Sequence, residues 1–152
     1  MTDSQPTTRP ALKRGYYLLY TDGAMQNTGR RRAGEVPGEA AIGAVLKTPR
    51  LVDVAQISRR IGPATQNVAE YRALIEELHL ALERGVRRLR VYLDSELVVD
   101  QLNGPSEVRE PHPKGWHQEA VGLAAKFTSI RFCWIPREMN TEADRLTKEA
   151  LG

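Results

Sequence analysis

From Tyr16 the chain reads "YYLLYTD", an alternation that puts Tyr16, Leu18, Tyr20 and Asp22 on one side of a strand ending at Asp22. A loop rich in Gly, Arg and Pro follows, "MQNTGRRRAGEVPG". Next come "EAAIGAVLKT" and "LVDVAQISRRI", parted by Pro49-Arg50 in the manner of a hairpin. Three such strands in succession predict an antiparallel meander. The period then changes. In "TQNVAEYRALIEELHLALERG" the residues Val68, Tyr71, Leu74, Ile75, Leu78, Ala81 and Leu82 recur at helical spacing, with Gly85 as a stop signal. "RLRVYLD" predicts a fourth strand, and Ser95 is placed to cap a second helix, "ELVVDQLNG". After "PSEVREP", a third helix puts Trp116, Ala120, Leu123, Ala124 and Phe127 on one face. "SIRFCWI" reads as a fifth strand, and "NTEADRLTKEAL" as a closing helix with Ala143, Leu146 and Ala150 in an apolar stripe.

The order β-β-β-α-β-α-α-β-α predicts an α/β fold: a five-stranded mixed sheet, its antiparallel three-strand meander continued by parallel strands, with helices on both faces. Residues 1–14, polar and proline-containing, read as a flexible tail, and residues 15–152 as a single domain. There is no internal repeat.

Composition narrows the function. The chain is 41% hydrophobic and 27% charged, ordinary for a water-soluble domain. No apolar run is long enough to span a bilayer, and the N-terminus lacks the apolar core of a secretory signal. The single cysteine, Cys133, excludes an internal disulfide and a cysteine-only zinc site, and its apolar setting predicts a small buried residue. A cytoplasmic setting, no membrane association and a monomer are the default expectations; no protein partner can be inferred. The net charge of +3 is mild, but the basic residues cluster at "RRR" 30–32, "RR" 59–60 and "RGVRRLR" 84–90. Arginine predominates in them, and its planar fork suits phosphate oxygens, which makes a polyanion partner reasonable.

Four carboxylates are candidates for chemistry. Asp22 and Asp94 end the first and fourth strands, Glu70 lies in the first turns of the first helix, and Asp144 in the first turn of the last. If the two strands are parallel neighbours, both aspartates emerge at the edge where open α/β sheets bind ligands. Each acid also has a structural explanation. Asp22-Gly23 is a turn pair, Asp94 can cap a helix, Thr141-x-x-Asp144 is a capping pattern, and Glu70 favours the positive end of its helix. A joint site requires cations to offset the mutual repulsion, and all-oxygen ligands suit Mg²⁺ rather than zinc.

The segments "YTDGA", "TQNVAEYRAL", "VYLDSELVV" and "NTEADRLTKEA", in this order, resemble type 1 ribonuclease H, over nearly the whole chain from residue 16 to 152. The resemblance implies a ribonuclease H-like fold. It implies an endonuclease that hydrolyses the RNA strand of RNA–DNA hybrids by a two-metal-ion mechanism, leaving 5′-phosphate and 3′-hydroxyl ends. Carried over by motif, Asp22, Glu70, Asp94 and Asp144 would be both the catalytic residues and the ligands of two Mg²⁺ or Mn²⁺ ions. Gly23, Ala24, Gln66 and Asn67 occupy the matching substrate-facing positions, and Thr65 a position for DNA phosphate. This sequence departs from many members in lacking a histidine in the loop before the last acid, where Arg137, Glu138 and Asn140 are auxiliary candidates. It also lacks a long basic handle, for which Arg30, Arg31 and Arg32 are candidate substitutes in gripping the hybrid; His112 and His117, in the short segment that replaces it, are read as surface residues. The alternative readings are a binding module of the same fold with weak or absent catalysis, a nuclease of different substrate, and a plain structural domain whose acids are all caps.

Overall fold

The computed structural model describes residues 15–26, 38–104 and 111–152, the first three residues of the last span in backbone only. The 1–14 segment, Arg30, Arg31 and Arg32 lie outside the described residues. The strands are β1 (Tyr17–Gln26), β2 (Gly38–Lys47), β3 (Asp53–Ala64), β4 (Arg88–Leu93) and β5 (Ser129–Trp134). The helices are α1 (Gln66–Glu83), α2 (Glu96–Asn103), α3 (Pro111–Ala124) and α4 (Thr141–Leu151), with a short 3₁₀ turn at Arg137–Met139 before α4. Their order is the expected one.

The sheet runs β3-β2-β1-β4-β5. β1–β2 and β2–β3 are antiparallel, while β1–β4 and β4–β5 are parallel. The β2–β3 turn contains Pro49 and Arg50 as expected, but Leu51 belongs to it rather than to β3, with φ of 69°. Thr48 steadies this turn by accepting the Arg50 and Val52 amides on its hydroxyl at 3.2 Å.

β1 does not end at Asp22. It continues to Gln26, because Gly23 through Gln26 go on pairing with β2. Its pairing with β4 stops at Tyr20–Tyr92. Asp22 therefore sits inside a strand on one side and at an open gap on the other, and Asp22-Gly23 is not a turn.

One face of the sheet carries the main core. Leu19, Leu89, Val91 and Leu93 pack against Tyr71, Leu74, Leu78 and Ala81 of α1, with Ala120, Leu123 and Phe127 closing the layer around α3. These are the residues whose helical spacing is plain in the sequence. α4 lies on the opposite face over β1, β2 and β3, burying Ala143 and Leu146. β5 is an edge strand beyond its reach, so Cys133 is half-buried rather than enclosed. Thr65 caps α1 and Ser95 caps α2, each accepting the amide three residues on, at 3.3 and 3.2 Å. No described helix is long and apolar enough to cross a membrane.

A carboxylate cluster at the gap between β1 and β4

Two glycines let helices come unusually close to the sheet. A Cβ on Gly23 would stand 2.2 Å from the Ala69 carbonyl carbon and 2.4 Å from the Glu70 nitrogen, so α1 rests directly on β1. A Cβ on Gly43, which pairs with Asp22 across β1–β2, would stand 2.4 Å from the Ala143 oxygen of α4. Both contacts are with backbone, which cannot move aside as a flexible side chain can. Asp22 is thus held between two helices.

Glu70 and Asp94 complete the cluster. One oxygen from each of Asp22, Glu70 and Asp94 lies within 4.8 Å of the others. Glu70 is 5% exposed and Asp22 only 2%. Glu70 Oε1 accepts the Gly23 amide at 3.0 Å, and Oε2 accepts from Gln66 Nε2 at 3.3 Å. Gln66 Nε2 also donates to the Gly23 carbonyl at 2.6 Å. Asp94 is not the α2 cap. Ser95 takes that role, leaving the Asp94 carboxylate to accept Asn140 Nδ2 at 2.9 Å. Trp134 Nε1, at the end of β5, donates to the Asp94 carbonyl at 3.3 Å.

Asn140 ties the last helix to the sheet. Its Nδ2 serves both Asp94 and the Thr21 carbonyl, the latter at 3.0 Å. Asn140 is also the residue at the N-terminus of α4, where its side chain makes no cap bond because it is engaged elsewhere. Thr141 is the first residue of α4 rather than its cap, so the Thr141-x-x-Asp144 capping pattern does not form.

Asp144 approaches without joining the close triad. Its Oδ2 meets Lys148 Nζ at 2.9 Å, and its Oδ1 lies 3.7 Å from Arg137. Glu138, next to Arg137 in the 3₁₀ turn, is exposed. Thr147, on the same helix, gives its hydroxyl proton to the Asp144 carbonyl at 2.7 Å. Asp22 Oδ2 lies 3.5 Å from the Thr147 hydroxyl oxygen. Gly43, Thr147 and Trp134 have no local signal marking them; only their distant partners do.

The electrostatics follow from crowding in a dry place. Burial, then the charges of Asp94 and Asp144, push the Asp22 carboxyl up to about 7, against smaller opposing effects of Arg137 and Thr147. Burial, then the charges of Asp22 and Asp94, raise Glu70 well above the usual carboxylate range despite its bonds from Gly23 and Gln66. Carboxylates held this close are unfavourable without a compensating cation. The donor set is all oxygen, with no sulfur or imidazole, and suits a hard divalent ion.

The "Reverse transcriptase-like" family matches residues 32–150. Bifunctional protein Rv2228c of Mycobacterium tuberculosis is 42% identical over 116 residues, 76% of this chain and 32% of that protein. The solved N-terminal RNase H domain of the same mycobacterial protein, fused to maltose binding protein, is 36% identical. It superposes with a TM-score of 0.82 over 90% of this chain and 99% of that one. Ribonuclease HI of Halobacterium salinarum is 36% identical over 137 residues, 90% of this chain and 65% of that protein. LC11-RNase H1, solved in complex with an RNA/DNA hybrid, is 33% identical with a TM-score of 0.78 over 88% of this chain and 95% of that one. This chain spans only part of the full-length mycobacterial and archaeal relatives, but almost all of the solved mycobacterial domain and of LC11-RNase H1. With the sheet order, the two helices resting on it and the acids at the β1–β4 gap, these similarities settle the family: the chain belongs to type 1 ribonuclease H.

Proposed function

We infer that this chain is an endoribonuclease that hydrolyses the RNA strand of RNA–DNA hybrids with the help of divalent cations. The observation that carries the reading is the meeting of Asp22, Glu70 and Asp94 oxygens within 4.8 Å at an open gap in the sheet. The hybrid bound by the similar LC11-RNase H1 supports the choice of substrate. Two Mg²⁺ or Mn²⁺ ions, when bound, would supply activation of a water and stabilisation of the leaving 3′-oxygen, giving 5′-phosphate and 3′-hydroxyl ends. Asp22, Glu70 and Asp94 would hold them, with Asp144 as the fourth ligand.

The chain's own residues prepare this site in distinct ways. Gly23 and Gln66 orient both oxygens of Glu70, and Asn140 and Trp134 hold Asp94 from its side chain and its backbone. The Lys148–Asp144 pair involves a lysine side chain 74% exposed, and such surface pairs are weak. Asp144 can therefore leave Lys148 and turn toward Asp22 at little cost. Thr65 accepts the Val68 amide and keeps its own hydroxyl proton to give to a phosphate. Gln66, Asn67 and the Gly23–Ala24 backbone stand beside it, facing the sugar edge of an RNA strand. Arg30, Arg31 and Arg32 are proposed to grip phosphates in place of a basic handle.

One observation favours a second reading, a hybrid-binding module with weak catalysis. Asp144 is turned toward Lys148 and Arg137 instead of into the triad. The test is cleavage of a strand-labelled hybrid with Mg²⁺, Mn²⁺ or chelator, for the wild type and Asp94→Asn. Cutting of the RNA strand alone, dependent on metal and lost in the variant, supports the nuclease; binding without cutting under every condition supports the module.

A further inference from the structure

The second and third basic clusters of the sequence, at 59–60 and 84–90, are not used by the acid site. Arg59 pairs with Glu76, while Arg60 donates to the Ala150 and Leu151 carbonyls at 3.0 and 2.7 Å. Both are thereby occupied in holding β3 to its neighbours. The cluster at 84–90 has a different fate. α4 covers β1, β2 and β3, and beyond it the same face of β4 and β5 carries Arg88, Arg90 and Arg131. Arg90 and Arg131 are register partners on adjacent strands, and both are exposed.

These arginines gather around one phenol. The Arg88 and Arg90 guanidinium carbons lie 4.7 and 4.9 Å from the centre of the Tyr16 ring. Tyr16 is fixed in turn by a 2.6 Å hydrogen bond with Ser129 of β5. Hydrogen bonds from Ser129 and Arg131, with the charge of Arg88, favour the ionised phenol and lower its pKa against a smaller effect of burial. Among the described residues, none of the three arginines has a carboxylate within ion-pair distance. Like charges repel, and a cation–π contact at an exposed site returns only about 0.5–1 kcal/mol. Among the described residues, the cluster is therefore a positive surface without an ion-pair partner.

Its position gives it a direction. Along β4 the arginines lead through Tyr92, stacked on Tyr20 with ring centres 4.9 Å apart, to Asp94 at the acid site. At about 3.3 Å per residue, Arg90 lies about 13 Å and Arg88 about 20 Å along the strand from Asp94. The other end opens on a cleft of ≈ 350 Å³ lined by Tyr17, Val86, Arg87, Arg88 and Thr128. Arg90 and Arg131 stand one strand spacing apart, about 4.8 Å, a footprint suited to one phosphate backbone rather than two. Arginine forks beside aromatic rings are the chemistry of single-strand tracking.

We propose that the open face of β4 and β5, through Arg88, Arg90 and Arg131, binds a single-stranded nucleic-acid tail continuous with the hybrid at the acid site. The proposal rests on the hybrid-nuclease reading only for the hybrid's seat at the acid site, and not on its cleavage. The test measures binding by fluorescence anisotropy, in chelator so that nothing is cut, for a blunt hybrid and the same hybrid with a single-stranded tail. The tail tightens binding by the wild type about tenfold. In Arg90→Gln/Arg131→Gln the gain disappears, and the slope of log K against log salt becomes shallower by about 1.4, the release expected for two single-strand phosphates. Arg90→Lys/Arg131→Lys keeps the slope, and both variants cleave blunt hybrid at the wild-type rate if the wild type does. Equal wild-type affinity for blunt and tailed hybrids overturns the proposal, as does a gain that survives the glutamine pair. Displacement of the tail by polyglutamate as readily as by an unlabelled oligonucleotide also overturns it, and points to an acidic protein partner. A wild type that never cuts but shows the tail effect refutes the nuclease reading and leaves this one standing.

Discussion

The Gly23 amide donates to Glu70 Oε1 at 3.0 Å across a contact that has no room for a Cβ. The two residues are joined because α1 presses its backbone onto β1 at that point. Asp22 lies immediately before the contact, so the distance between the first two acids of the cluster is set by a missing side chain.

Gly23→Ala tests this directly. A methyl group 2.2 Å from the Ala69 carbonyl carbon must push α1 off the sheet. Overpacking against rigid backbone costs about 3 kcal/mol or more. For a chain of this size that lowers the melting temperature by about 6–12 °C. Metal affinity and cleavage fall with it, because Glu70 moves with the helix. An alanine variant with wild-type melting and activity would show that the helix can step back freely.

The elements and three of the four acids are legible in the sequence because they rest on local signals. Helical periodicity marks α1 through Tyr71, Leu74 and Leu78, and a hydroxyl cap marks Ser95. Motif order groups Asp22, Glu70 and Asp94, whose oxygens meet within 4.8 Å. What is not legible depends on distant backbone. Asp22 looks like a strand end, yet β1 pairs onward with β2 after it has parted from β4. Thr141 looks like a cap, yet the preceding Asn140 takes that place while its amide reaches back to Thr21 and Asp94. Asp144 has the right motif, but its orientation depends on Lys148, four residues on in α4, and on Arg137 outside that helix, whose pull helix spacing does not reveal.

Asn140→Ala should separate positioning from ligation. The Asn140 amide holds Asp94 and the Thr21 carbonyl at once, 2.9 and 3.0 Å away, but contributes no carboxylate to the cluster. Groups that orient a ligand typically account for 10–100-fold in activity or metal affinity, so kcat for hybrid cleavage should fall by about that factor. KM should change little, since Asn140 is buried. A proportionate rise in KM would mean that Asn140 instead helps to bind the hybrid.

Removing an acid should stabilise the metal-free protein while abolishing its activity. Asp22 titrates near 7 because burial and the neighbouring aspartates oppose its charge. In chelator at pH 8, Asp22→Asn should melt higher than the wild type, by about 1–3 kcal/mol in stability. Added Mn²⁺ should reverse the order. A cation at about 100 times its Kd contributes about 2.7 kcal/mol to the protein that binds it and nothing to one that does not. Thermal melts of both proteins in chelator and in Mn²⁺ decide it; a wild type indifferent to the ion would count against metal binding at this cluster.

Glu77 provides a pH dependence remote from the acid site. It lies on the buried side of α1, 1% exposed, with neither carboxylate oxygen hydrogen-bonded among the described residues. Burial raises it from 4.5 to about 7, only partly offset by Arg84. Because the folded pKa exceeds the unfolded one, the native state holds the proton more tightly. Below about pH 4.5 the group is neutral in both states and costs nothing as a charge. Between about 4.5 and 7 the unfolded chain ionises first, so stability falls as pH rises, and above 7 the loss is complete at about 3 kcal/mol. Glu77→Leu removes the titration and fills the site with apolar volume. The variant should gain about 2 kcal/mol more over wild type at pH 8 than at pH 5, or about 4–8 °C in melting temperature. A gain equal at both values would mean that a partner compensates the Glu77 charge in the folded protein.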